Sequence, residues 1–97
     1  MKTGIELIAE ERERQIEVEG WTPEQDYRHN RQELARAAAC YAVPPRRREV
    51  YEEGEPYDWP WDGVSWKPVP DDRIRELQKA GALIAAEIDR LQRKNNQ

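Results

Sequence analysis

"DDRIRELQKAGALIAAEIDRLQR", residues 71–93, carries the clearest periodicity in the chain. Ile74, Leu77, Gly81, Ile84, Ile88 and Leu91 recur at alternating spacings of three and four, which places them along one seam of a helix. Asp71 or Asp72, just after Pro70, supplies a helix cap, and the spacing predicts a helix over about 72–93. Gly81 costs roughly 1 kcal/mol of helix propensity against alanine. Its missing side chain gives room for a close neighbour, either a partner helix or a tryptophan ring. A seam of this kind predicts association through the helix 72–93 face.

Upstream, residues 44–70 hold all but one of the seven prolines and three of the four tryptophans. No regular helix survives there, so the segment reads as a long ordered loop whose arginine-rich and acidic half, "RRREVYEEGE", is the more mobile. Before it, "HNRQELARAAACYAV" predicts a helix over about 28–43 that packs through Leu34, Ala38 and Tyr41, with Ala35 and Ala37 beside them. Alanine allows a second helix to come close. "GWTPEQD" has the form of a helix start, with Thr22 as cap, Pro23 in the first turn and Trp21 as staple. At the N-terminus "TGIE" fits a capping box between Thr3 and Glu6. A helix over about 4–18 follows, with Ile5, Ile8, Ala9 and Ile16 as its apolar stripe and Glu10 to Arg14 on wetter faces. The expected fold is all-α, a single domain over residues 1–97. It has three helices and a Pro- and Trp-rich loop, and it assembles as a helical homo-oligomer.

Composition bounds the function. The chain has 97 residues, with 37% hydrophobic and 37% charged, and its mean hydropathy is −1.12. A monomer of this size and polarity has little apolar area to bury, which again favours a homo-oligomer. The net charge is −4, so no basic footprint for duplex nucleic acid exists. The one cysteine, Cys40, excludes an internal disulfide and reads as a small core residue. The N-terminal residues lack an apolar signal-like run and no stretch suits a bilayer, so no membrane partner is expected and the location is cytoplasmic.

Three constellations bear on chemistry. Glu6, Glu10, Glu13 and Glu17 share one side of the first helix, and aligned carboxylates can hold Mg²⁺. Nucleotide pyrophosphohydrolases of the MazG type use such a face with a Glu-x-x-Asp pair on the next helix. Here that pair is Glu33 and Arg36, and a solvated face with i,i+4 ion pairs is the simpler reading. His29 lies one turn from Asp26 and from Glu33, a pattern that suits a ligand contact or a local hydrogen bond. Finally Trp21, Trp59, Trp61 and Trp66 offer stacking surface, and Lys67 and Arg73 offer phosphate contacts. The same tryptophans also suit a lid over a thin helical core.

Taken in order, "RQIEVEGWTPEQD", "HNRQELARAAACYA", "WPW…WKP" and "RELQKAGALIAAEIDRLQR" resemble a family of small proteins of tailed bacteriophages and prophages. The likeness spans nearly the whole chain, interrupted at the arginine-rich stretch. The sequence departs from the family pattern at Gln25 and Tyr27, in a turn that usually reads Glu-His-Asp-Asp, and at Gln32, where the pattern has glycine. The resemblance implies a phage context, in which small accessory proteins often counter host defence. One such class consists of compact helical oligomers that sequester cyclic-nucleotide or ADP-ribose-type messengers without cleaving them. By that analogy the expected function is a sponge for a nucleotide-derived small molecule, needing no cofactor and no metal. Its ligand-binding residues would be Trp21, His29, Trp59, Trp61, Trp66, Lys67 and Arg73. Two alternatives accompany it: a Mg²⁺-dependent pyrophosphohydrolase using Glu6, Glu10, Glu13 and Glu33, and an inhibitor that binds a host protein.

Overall fold

The computed structural model describes residues 1–20 and 32–95. The expectations for Trp21, for the turn at 23–26, for His29 and for residues 28–31 of the middle helix lie outside them. The described chain is all-α. Helix α1 spans Gly4–Glu17, α2 spans Glu33–Ala42 and α3 spans Arg73–Asn95, with 3₁₀ turns at Pro45–Arg47 and Gly63–Ser65. No strand forms among the described residues; Val50 and Pro56 make an isolated antiparallel bridge. The Cα radius of gyration is 13.5 Å. Among the described residues no helix is long and apolar enough to cross a membrane.

Each helix start follows from local chemistry. Thr3 accepts from the Glu6 amide and Glu6 accepts from the Thr3 amide, closing the capping box. Asp72 accepts from the Arg75 amide and caps α3. Within the described residues the middle helix opens at Glu33, and Gln32 just before it takes a left-handed φ of 60°. An L side chain rarely adopts that conformation, which breaks the helical path.

The core lies between α2 and α3. Leu34, Ala37, Ala38, Cys40 and Tyr41 meet Ala80, Leu83 and Ala86, and Trp59 completes the cluster with Trp61 and Trp66 packed against it. Small residues bring the helices together, but they contribute little apolar area. Leu34 and Leu83 are the largest aliphatic side chains that are fully buried. The tryptophan loop supplies the bulk that these helices lack.

One expectation about which face is buried is corrected, that for α1. In α1 the stripe Ile5, Ile8, Ala9 and Ile16 is not the buried one: Glu11, Arg12 and Gln15 are buried, while Ile5 is 82% exposed. The reason lies in what α1 meets. It packs on a part of α3 that presents Arg75, Gln78 and Asp89, which pair with Glu11, the Leu7 carbonyl and Arg12. Ile8 and Ile16 of that stripe are half-buried, and Ile8 fills the space above Gly81. In α3, Ile74, Leu77, Ile84, Ile88 and Leu91 stay between 39% and 64% exposed. The helix buries Glu76, Ala80, Leu83, Glu87 and Arg90 instead, a second seam with the same spacing.

The arginine-rich half of the loop is also better anchored than its composition suggests. The last carbonyls of α2 have no helical donor, and Pro44 and Pro45 cannot supply one. Arg48 Nε donates to the Cys40 carbonyl at 2.9 Å and its Nη2 to the Tyr41 carbonyl at 3.0 Å. Arg73 donates to the carbonyls of Tyr41 and Ala42. Glu76, fully buried, balances both cations: it accepts two bonds of 3.0 Å from Arg48, one of 3.1 Å from Arg73 and one of 3.0 Å from the Val69 amide. Beyond Arg48 the chain turns back on itself. The Tyr51 amide donates to the Glu55 carbonyl, the Tyr57 amide donates to the Glu49 carbonyl, and Gly54 takes a φ of 109° that favours glycine.

Candidate functional site

The tryptophan loop is set by hydrogen bonds as much as by burial. The Trp59 indole N–H reaches the Asp62 carbonyl and the Ser65 hydroxyl, both at 3.1 Å, and Ser65 in turn donates to Asp62 at 2.7 Å. The Tyr41 hydroxyl accepts from the Lys67 amide at 3.2 Å, and Lys79 Nζ donates to the Lys67 carbonyl at 2.9 Å. One strand of loop is therefore tied to both α2 and α3. Trp59 is the hub of the rings, touching Tyr41, Trp61 and Trp66; Trp66 also lies 4.6 Å from Tyr41, and Trp59 meets Tyr41 edge to face at 5.7 Å. Trp61 stands edge to face on Trp59 at 5.3 Å.

Between this loop, α1 and α3 opens a cavity of about 200 Å³. Its apolar surface comes from Tyr41, Trp59, Trp61 and Leu83, and Lys67 and Lys79 bring cations to it. Lys79 also lies over the Tyr41 ring at 5.4 Å; desolvation, with Arg75 nearby, lowers its pKa. From the α1 side come Glu11, Arg14 and Gln15.

Glu11 governs that side. Burial acts to raise its carboxyl, but hydrogen bonds from Arg14 and Arg75, with their charges, outweigh burial and hold it at about 2. An ionised carboxylate only accepts, so it turns the Gln15 amide nitrogen towards itself, at 3.3 Å. Gln15 Oε1 is thereby turned away. Among the described residues it is buried with no hydrogen-bond partner, and an unsatisfied buried acceptor costs roughly 1–3 kcal/mol. The cavity thus combines an aromatic wall with Lys67 and Lys79, and Gln15 stands on its α1 side.

Of the residues singled out in the sequence, Trp59, Trp61 and Lys67 meet at this cavity. Trp66 does not line it; it packs on Tyr41 and beneath the Arg48 guanidinium, 5.1 Å from its ring centre. Arg73 is engaged at the end of α2 with Glu76. Trp21 and His29 lie outside the described residues. On the acidic face, Glu6 serves the capping box, Glu10 pairs with Lys2, and Glu13 and Glu17 are exposed. Glu33 opens α2. No three His, Cys, Asp or Glu side chains converge on a metal position among the described residues. Cys40 is buried and its thiol is pushed up, first by desolvation and then by Asp58, as suits a core residue. Sequence reasoning missed Glu11, Gln15 and Lys79. Glu11 and Gln15 stand one turn apart on α1, but charged neighbours on every side hide which face turns inward.

Comparison with protein-family models, with curated proteins and with solved structures gave no match.

Proposed function

We propose that this chain is a phage-type accessory protein that binds a nucleotide-derived small molecule without transforming it, as a sponge for a cyclic-nucleotide or ADP-ribose-type messenger. The observation that supports this is the cavity beneath the tryptophan loop. The half-buried Trp61 provides a stacking surface for a planar base, worth roughly 1–3 kcal/mol per stacked ring. Lys67 and Lys79 attract phosphate. At about 200 Å³ the cavity admits one ring system and leaves the phosphate in the mouth; drug-sized ligands occupy pockets of roughly 300 Å³ or more. Self-association through the outer face of α3 belongs to the same reading.

Titration with AMP, followed by tryptophan fluorescence, tests it. AMP should bind, and Trp61→Ala should weaken binding about tenfold or more. AMP binding that ignores Trp61→Ala would defeat the proposal. So would release of pyrophosphate from dNTPs with Mg²⁺, which would favour the hydrolase alternative.

A further inference from the structure

Where the loop turns back on itself, two tyrosines come to lie side by side. The Tyr51 amide reaches the Glu55 carbonyl at 2.9 Å and the Tyr57 amide reaches the Glu49 carbonyl at 3.0 Å. Val50 and Pro56 form the antiparallel bridge between those two bonds. Successive side chains of an extended ribbon alternate between its faces. Val50 and the buried Pro56 therefore share one face, and Tyr51 and Tyr57 share the other. In this register the tyrosines are diagonal neighbours, a separation that aromatic side chains span. Their ring centres are 4.7 Å apart with planes at 69°, and the two residues are 49% and 54% exposed. The Gly54 amide closes the turn onto the Tyr51 carbonyl at 2.9 Å.

Two exposed phenols held in contact have the geometry for oxidative coupling. Exposed side chains change rotamer within nanoseconds, so the pair repeatedly brings together the ring carbons beside each hydroxyl. Holding two reactants in one place gives them a high effective concentration. Charge keeps the reaction inside one chain. Residues 49–58 carry Glu49, Glu52, Glu53, Glu55 and Asp58 and no Lys or Arg, so the hairpins of two copies repel each other. Tyr41, by contrast, is buried, and its hydroxyl accepts from the Lys67 amide.

We propose that Tyr51 and Tyr57 form a modification site at which a haem peroxidase, using hydrogen peroxide, joins the two rings as dityrosine. Each phenol loses one hydrogen atom, its electron going to the oxidised haem and its proton to water. The ring carbons beside the two oxygens then bond, and the hydrogens they carried move to the oxygens, restoring both phenols. In all, the chain loses two hydrogen atoms and one peroxide becomes two waters. The new bond turns a hairpin held by three backbone hydrogen bonds into a closed covalent ring. Pro56 and Tyr57 also wall a second cavity of about 230 Å³ with Val43 and Arg47, so coupling stiffens that wall. Neither tyrosine lines the cavity beneath the tryptophan loop, and the coupling is independent of ligand binding there.

The test treats the full chain with a haem peroxidase and one equivalent of hydrogen peroxide. At about 5 μM chain, far below the effective concentration of a held pair, the product should be a monomer that has lost two hydrogen atoms and shows dityrosine fluorescence. Cleavage after Glu52, Glu53 or Glu55 should leave the pieces bearing Tyr51 and Tyr57 joined. Tyr51→Phe and Tyr57→Phe should each abolish the product. Gly54→Val keeps both phenols but strains the turn, where φ is 109° and the added side chain meets no neighbour. It should lower the yield about tenfold with the helical circular dichroism unchanged. Dityrosine that forms mainly between chains would overturn the assignment. So would monomeric product that survives Tyr51→Phe or is undiminished in Gly54→Val, or oxygen added to the tryptophans with no joined tyrosine pieces.

Discussion

Glu76→Gln tests the claim that the interior is organised around a buried charge. The carboxylate has no solvent exposure and faces two guanidinium groups at 3.0–3.1 Å. One of them, on Arg48, has a side chain only 6% exposed. The substitution keeps the shape and removes the charge. Arg48 and Arg73 then share the α2 carbonyls with no counter-ion, and an uncompensated buried charge typically costs about 3–5 kcal/mol. A domain of this size has roughly 5–15 kcal/mol in all, so the melting temperature should fall by about 15 °C or more. Urea titration followed by tryptophan fluorescence reads the change directly, because Trp66 lies beneath Arg48. The midpoint should drop with the slope unchanged. Arg48→Met combined with Glu76→Leu should cost less than the two single changes together, since it leaves no orphaned charge between that pair. A loss below about 1 kcal/mol for Glu76→Gln, the range of an exposed pair, would refute the reasoning.

Acid should unfold the protein through the same kind of group. The Glu11 carboxyl falls from 4.5 to about 2 on folding, and a depressed pKa stabilises above the unfolded value and is lost as pH falls through the folded one. About 3 kcal/mol should therefore disappear between pH 4.5 and 2. Glu76 acts in the same direction, since its hydrogen bonds from Arg48 and Val69 overcome the desolvation that opposes them. Melting temperatures measured across that window should fall steeply for the wild type and less for Glu11→Gln. Gly81→Ala sets helix propensity against packing. The substitution gains roughly 1 kcal/mol in the helix, yet its Cβ would stand 2.6 Å from Ile8 Cγ1, so α1 must move. The expected net loss is about 1–2 kcal/mol by urea titration, recovered when Ile8→Ala is added; a simple gain would show that α1 does not rest there.

Caps and breaks were legible in the sequence because their causes are local. Thr3 and Glu6 close a box within one turn, Asp72 caps α3, and Pro44 with Pro45 ends α2 whatever surrounds them. The alanines of α2 and the aromatic lid were legible too, since a chain this polar has few other ways to assemble a core. The left-handed Gln32 was not legible from its own chemistry, because nothing in a glutamine demands a positive φ; the glycine of the resembled pattern at that position is the signal that could have found it.

The sequence by itself determined the all-α class, the extents of α1 and α3 to within about two residues, and the end of α2. The tertiary structure decided which faces turn inward. α3 carries two seams of equal spacing, one aliphatic and one mixed with charge, and hydrophobicity alone selects the first. The second is buried because Arg48 and Tyr41 arrive from other elements to meet it, with Arg73 joining from the first turn of α3, and a carboxylate such as Glu76 is stable inside only once its donors are assembled. Its partners lie up to 28 residues away along the chain, beyond any local pattern. For the same reason the candidate site gathers Gln15, Trp61 and Lys79 from three separate segments, and only the packed chain brings them to one cavity.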